Sequence, residues 1–237
     1  MRKEEAFKKM TSPLPRVKFN SDTFHITKAL VLAPHPDDEL LGCGGTILYL
    51  LNQGIPVDIA LLTHEQQRLK EFHHALDILS CQNRYLFQFK DGELGKEKEF
   101  LRLEKKIRGM QEKMHYNMIF VPYIFDLNQD HVAVVKALSH VLEADVSVTI
   151  CMYEVWTPIL YPNLYINVSD FYSQKSLAIK CYNSQLDHYN IINRDVSLHR
   201  FRGALIAKKD YEYAEAFKYF AAKEYKEVVE AILCDES

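Results

Sequence analysis

A hydrophobic run, Leu30-Val31-Leu32-Ala33, ends in Pro34-His35-Pro36-Asp37-Asp38-Glu39, one imidazole and three carboxylates in quick succession. A buried core has no use for that cluster. His35 and Asp38, three residues apart on a tight turn, can converge on one cation and leave Asp37 pointing elsewhere. A third ligand is wanted from the end of another strand, and Asn117 to Pro122 runs through Tyr123 to Gln129 into Asp130-His131. His35, Asp38 and His131, with a water in the fourth position, describe a catalytic rather than a structural zinc site, because structural sites are closed and rich in thiolate. The same donors also suit iron or manganese. The competing explanation for each segment is ordinary helix capping by an aspartate.

These residues need a scaffold that brings strand ends together. Short β-rich runs at 29–34, 56–63, 84–89, 117–122 and 146–155 alternate with helical patterns at 40–52, 65–80, 96–114 and 130–144. Such alternation implies an α/β fold, a Rossmann-like three-layer sandwich with a mostly parallel sheet. Several strands are continuously apolar, as required when helices cover both faces. Ligands in open sheets bind beyond the carboxyl ends of the strands at the switch point in strand order, which is where His35 would lie. Further on, Leu164 to Val168 reads as an extra strand, 171–189 as a helix, and 210–233 as one last helix rich in Ala, Glu and Lys.

The chain has 237 residues and 48% hydrophobic residues, which suits one globular domain over 27–237 behind an N-terminal extension, 1–26, broken by Ser12-Pro13-Leu14-Pro15. With 29 basic and 32 acidic residues, it has no field to gather nucleic acid or an anionic membrane. No apolar run approaches the ~20 residues of a membrane span, and no secretory signal is evident, so a cytoplasmic location is expected. The five cysteines are scattered and read as reduced core thiols.

Taken together, Ala33 to Glu39, the following Gly42-Cys43-Gly44-Gly45, and Asp126-Leu127-Asn128-Gln129-Asp130-His131 resemble the PIG-L (LmbE-like) zinc-dependent N-acetylglucosaminyl deacetylases. Weaker echoes keep the same order: Arg68 and Glu71, Asp91 to Leu94, Tyr153 to Pro158, Ser184-Gln185, Arg202-Gly203 and Tyr213 to Phe217. The resemblance implies a metal-dependent N-deacetylase that converts an N-acetylated amino sugar or sugar conjugate to free amine and acetate. Zinc is the implied cofactor, with zinc-bound water as nucleophile and Asp37 as general base. Asn128 and Asp130 complete the catalytic set, and Arg68, His64, Asp126 and Tyr153 are the expected substrate contacts. Glu39 is expected to anchor the turn. The glycines are read as close helix-to-sheet packing rather than a dinucleotide fingerprint.

This chain departs from the family pattern in two places. Asn128 stands where the second motif usually has a histidine, and it can donate a hydrogen bond but not a proton. The link from Thr63 to Arg68 is short. The alternative expectation is therefore a weakened relative that binds metal and sugar without efficient turnover. The expected partner is a small N-acetylated sugar or conjugate, with no nucleic acid or membrane partner; homo-oligomerisation is left open.

Overall fold

A computed structural model of the chain describes residues 1–12, 17–19, 24–143, 147–186, 190–206 and 211–233. In chain order the elements are α1 (Lys3–Thr11), β1 (Val17–Lys18), β2 (Ala29–Ala33), α2 (Asp38–Asn52), β3 (Val57–Thr63) and α3 (Gln66–Ile78). Next come β4 (Asn83–Phe89), α4 (Glu97–Met114), β5 (Met118–Pro122), α5 (Gln129–Val141), β6 (Thr149–Tyr153) and β7 (Leu164–Asn167). After a 3-10 turn at Ser169–Phe171 the chain closes with α6 (Tyr172–Ile179), α7 (Asn183–Leu186), α8 (Ile191–Ala204), β8 (Ala214–Ala221) and α9 (Ala222–Leu233). The Pro13 to Pro15 break, the outer ends of several expected elements (Ala144, Val146, Tyr189, Asp210) and Cys234 lie outside the described residues.

The sheet order is β1-β7-β8-β6-β5-β2-β3-β4. Among the described strands, only β8 runs against its neighbours, pairing antiparallel with both β6 and β7. The expected α/β, mostly parallel fold is thus present, and β2 lies between β3 and β5 at the switch point. Strand alternation divides the core between the two faces. Ala29, Val31 and Ala33 of β2 pack on one side with Ile59, Leu61, Phe120 and Tyr153. Leu30 and Leu32 pack on the other with Ala60, Leu62, Ile119 and Met152. No helix among the described residues is long and apolar enough to cross a membrane.

The C-terminal third differs from the sequence expectation. Residues 214–221 form a strand, not the start of one long helix, because the slot between β6 and β7 offers ladder hydrogen bonds on both sides. Tertiary pairing here overrides the helix propensity of Ala, Glu and Lys. The helix expected at 171–189 is broken into a 3-10 turn, α6 and α7. Helix α8 was not legible, since its Asn, Asp, Ser and His content masks the buried positions Ile191, Asp195, His199 and Arg202. The described residues of the 1–26 segment are built onto the body: Ala6 and Met10 are buried, Lys9 pairs with Glu224 of α9, and Val17 pairs with Leu164.

Helix α2 carries the glycine segment and is kinked at Cys43, whose φ and ψ are −150° and 22°. A Cβ on Gly42 would come within 2.2 Å of the Tyr153 ring, and one on Gly45 within 2.6 Å of Val168, so the glycines permit close approach as expected. The kink frees the N–H groups of Gly45 and Thr46, which donate to the two oxygens of Glu215 at 2.8 and 2.7 Å. Buried Lys175 donates to the same carboxylate at 2.8 Å and lies 3.1 Å from Asp195. This paired and bonded network avoids the cost of an isolated buried charge. Cys43, Cys81 and Cys151 are buried free thiols, as expected, and Cys181 is half-buried.

Candidate metal centre

Parallel strands β2 and β5 are neighbours, so their carboxyl ends open side by side. Past the end of β2, Thr63 donates to the Pro34 carbonyl through its backbone N–H at 2.9 Å and its hydroxyl at 2.8 Å, pinning the turn that carries His35. Asp38 opens α2, and His131 sits in the first turn of α5.

These elements bring the three predicted donors into a triangle. His35 Nδ1 is 3.1 Å from Asp38 Oδ2 and 3.2 Å from His131 Nε2, and the His131 to Asp38 edge is 3.1 Å. Ligands about 2.1 Å from a tetrahedral zinc stand about 3.4 Å apart, so the three atoms have the spacing of a coordination face. All three residues are buried. The charges agree with the spacing. Burial alone would make both imidazoles less basic, but the surrounding carboxylates drive His35 up to about 12 and His131 to about 9. Burial also opposes ionisation of Asp38, yet contacts with His131 and His35 hold it well below the usual carboxylate range. The pocket therefore favours positive charge, and the donor set fits a divalent cation.

Outer carboxylates back the three candidate donors, an arrangement general for metal-bound histidines. His131 Nδ1 is 3.1 Å from Asp126 Oδ1, a close ionic contact that is not an aligned hydrogen bond. His35 Nε2 is 3.0 Å from Asp91 Oδ1 and 3.4 Å from Asp130 Oδ2. Asp130 in turn accepts from Gly92 N at 2.7 Å and Leu94 N at 3.0 Å, clamping the 91–94 loop beside His35. Asp91 had been legible only as part of a weak echo; its side chain is 65% exposed and borders the centre.

Asp37 occupies a strained position. Its φ of 107° lies in a region that L residues rarely adopt, and its N–H donates to Glu39 Oε2 at 3.1 Å. Glu39 is fully buried, bonded to the Tyr182 hydroxyl, and pushed up to about 8 by burial. Arg68 reaches from α3 to place Nη2 on the Pro36 carbonyl and 3.0 Å from Asp37 Oδ2. Burial, and then the charge of Asp38, push Asp37 up to about 7 against the pull of Arg68.

Other predicted residues take different places. Asp126, expected as a substrate contact, has a fully buried side chain bonded to the backbone N–H groups of Asn128 at 3.0 Å, Trp156 at 3.0 Å and Thr157 at 3.2 Å. Tyr153 is wholly buried and its hydroxyl donates to the Leu32 carbonyl at 2.7 Å. Asp130 has its oxygens on backbone N–H groups rather than facing solvent. Asn128 is the N-cap of α5, its Oδ1 accepting from Asp130 N at 2.8 Å. His64 is half-buried, has no hydrogen-bond partner at Nε2, and lines a separate surface cavity with Leu69, Gln88 and Lys90. Burial lowers its basicity.

The PIG-L family model, described as GlcNAc-PI de-N-acetylase, matches residues 30–142. The diacetylchitobiose deacetylase of Thermococcus kodakarensis is 26% identical over 213 residues, covering 77% of this chain and 78% of that protein. The structure of the conserved protein TT1542 from Thermus thermophilus superposes with a TM-score of 0.68 at 27% identity, covering 81% of this chain and 93% of that one. N,N'-diacetylchitobiose deacetylase from Pyrococcus horikoshii, complexed with its inhibitor MPG, has a TM-score of 0.67 at 20% identity and covers 94% of both chains. That likeness concerns the fold. The matched segment spans β2 to the end of α5 and holds all three corners of the donor triangle. Residues 30–142 of this chain are thus similar to the PIG-L family.

Proposed function

We propose that this protein is a metal-dependent N-deacetylase, hydrolysing the acetamide of an N-acetylated amino sugar or sugar conjugate to free amine and acetate. The observation that carries this reading is the His35, Asp38 and His131 triangle with the Asp37 carboxyl beside it. The family match and the resemblance to a diacetylchitobiose deacetylase support it.

His35, Asp38 and His131 would hold a divalent cation such as zinc, which when bound would supply Lewis acidity and lower the pKa of a water towards about 7. The residues of the chain do the rest. Asp37 takes the proton as water adds to the acetyl carbon, and returns it to the nitrogen as the C–N bond breaks. Its elevated pKa suits a group that must both accept and donate. Arg68 holds the carboxyl in place, and Glu39 fixes the strained backbone beneath it. Asn128 offers no second proton donor, so Asp37 serves in both directions.

Acetate release from a panel of N-acetyl sugars by the zinc-loaded protein tests this reading. Turnover lost in Asp37→Asn with metal retained, and metal lost in His131→Ala, is the expected result. Metal and sugar binding without acetate would instead establish the weakened binder, the reading that Asn128 favours. No metal uptake would end both.

A further inference from the structure

Arg194 of α8 lies with its guanidinium over the Trp156 ring, 4.4 Å from the centroid. Trp156 is tied to the candidate metal centre: its backbone N–H donates to Asp126 Oδ2 at 3.0 Å, and Asp126 Oδ1 is 3.1 Å from His131 Nδ1. Trp156, through its ring and its backbone, and the Asp126 carboxylate therefore link Arg194 to a corner of the donor triangle. Its Nη2 is buried and has no hydrogen-bond partner. Among the described residues no ion pair neutralises it, and burial lowers its pKa.

The acids whose fields reach Arg194 are Asp37, Asp195, Asp38 and Asp126, and each is engaged elsewhere. Asp37 is held by Arg68, and Asp38 by the two imidazoles. Asp195 is 3.1 Å from Lys175 and accepts from the Tyr172 hydroxyl at 2.6 Å. Asp126 is bonded to the N–H groups of Asn128, Trp156 and Thr157. Arg68, the other guanidinium of the centre, is occupied by Asp37 and Pro36. Arg194 is left as a half-buried charged fork, held flat by an aromatic ring, with one enclosed donor unmet. Next to Trp156, the Thr157 hydroxyl is also buried without a partner. An unmet buried donor is costly, and a guanidinium is best satisfied by two oxygens of one anion.

We infer that Arg194, braced on Trp156, receives an anionic substituent, a carboxylate or a phosphate, of the N-acetylated substrate. This rests on the deacetylase reading and narrows its substrate class. The carboxylates around the triangle repel an anion, so the charged group docks at Arg194 while the neutral acetamide faces His35, Asp38 and His131. Arg194 thereby sets which end of the sugar enters.

The zinc-loaded protein and its Arg194→Gln and Arg194→Lys variants are each given N-acetylglucosamine, its 6-phosphate and N-acetylmuramic acid. Acetate release is read as kcat/KM, binding is read by calorimetry, and zinc content reports folding. At least one anionic sugar is expected to be preferred over the neutral one by wild type; which one identifies the anion. The preference falls about ten- to a hundredfold in Arg194→Gln, mostly in KM, and partly returns in Arg194→Lys. Equal handling of neutral and anionic sugars by wild type, or a preference unchanged in Arg194→Gln, overturns the inference. An Arg194-dependent binding preference with no acetate from any sugar would leave the anion site standing and remove the deacetylase reading.

Discussion

Asp126 and His131 form one unit: the carboxylate sits 3.1 Å behind the imidazole while also gathering the N–H groups of Asn128, Trp156 and Thr157. A single side chain thus backs a candidate metal donor and fixes the two loops beside it. Asp126→Asn keeps the shape but removes the charge that supports His131. Zinc affinity should fall about 10- to 100-fold, measured by competition with a chromophoric chelator. Undiminished affinity would show that Asp126 serves the loops alone.

Arg68 is the main cation opposing protonation of Asp37. Removing it in Arg68→Met raises the Asp37 pKa, because the ionised form loses its partner. The acidic limb of the kcat/KM profile, which needs ionised Asp37, should therefore move to higher pH. A limb that stays in place while activity falls would restrict Arg68 to substrate contact.

Uptake of the cation must displace protons from His35 and His131, which the surrounding carboxylates hold above neutrality in the metal-free site. Zinc titrations at pH 7 in buffers of different ionisation enthalpy should show more than one proton released per cation. Apparent affinity should rise with pH. Release of less than one proton would mean that the imidazoles are neutral before binding.

Gly45 tests the close approach of α2 to the sheet. An added methyl would meet Val168 at 2.6 Å, so Gly45→Ala should cost about 1–3 kcal/mol in urea denaturation by overpacking. A neutral result would mean that the kink at Cys43 can give way.

Lys218, buried in β8, has its amine carried down to about 8 by burial, with the Tyr161 carbonyl accepting from it at 3.2 Å. Between pH 8 and the ordinary lysine value near 10.5 the unfolded chain binds the proton and the folded chain does not, so this group adds stability as pH rises. Lys218→Met should flatten that part of the stability profile. An identical slope in wild type and variant would remove Lys218 as its source.

The sequence by itself determined the parallel βα core and the candidate donor triad. Apolar strands such as Ala29–Ala33 and Met118–Pro122 are local signals, and His35, Asp38 and His131 lie in short motifs next to them. Parallel strands with helical crossovers must then place both motifs at one edge. The tertiary structure decided what depends on partners distant in sequence. Asp126 and Tyr153 read as polar groups available to a sugar, but the contacts that bury them come from Trp156, Thr157, Leu32 and Gly42. Residues 214–221 have the composition of a helix and become a strand because β6 and β7 leave a slot between them. Arg194 lies in a helix with no motif to mark it, and only the docking of α8 brings its guanidinium onto Trp156. Local spacing encodes which atoms can share a cation; which polar groups keep a free hydrogen bond is settled only when the whole chain has packed around them.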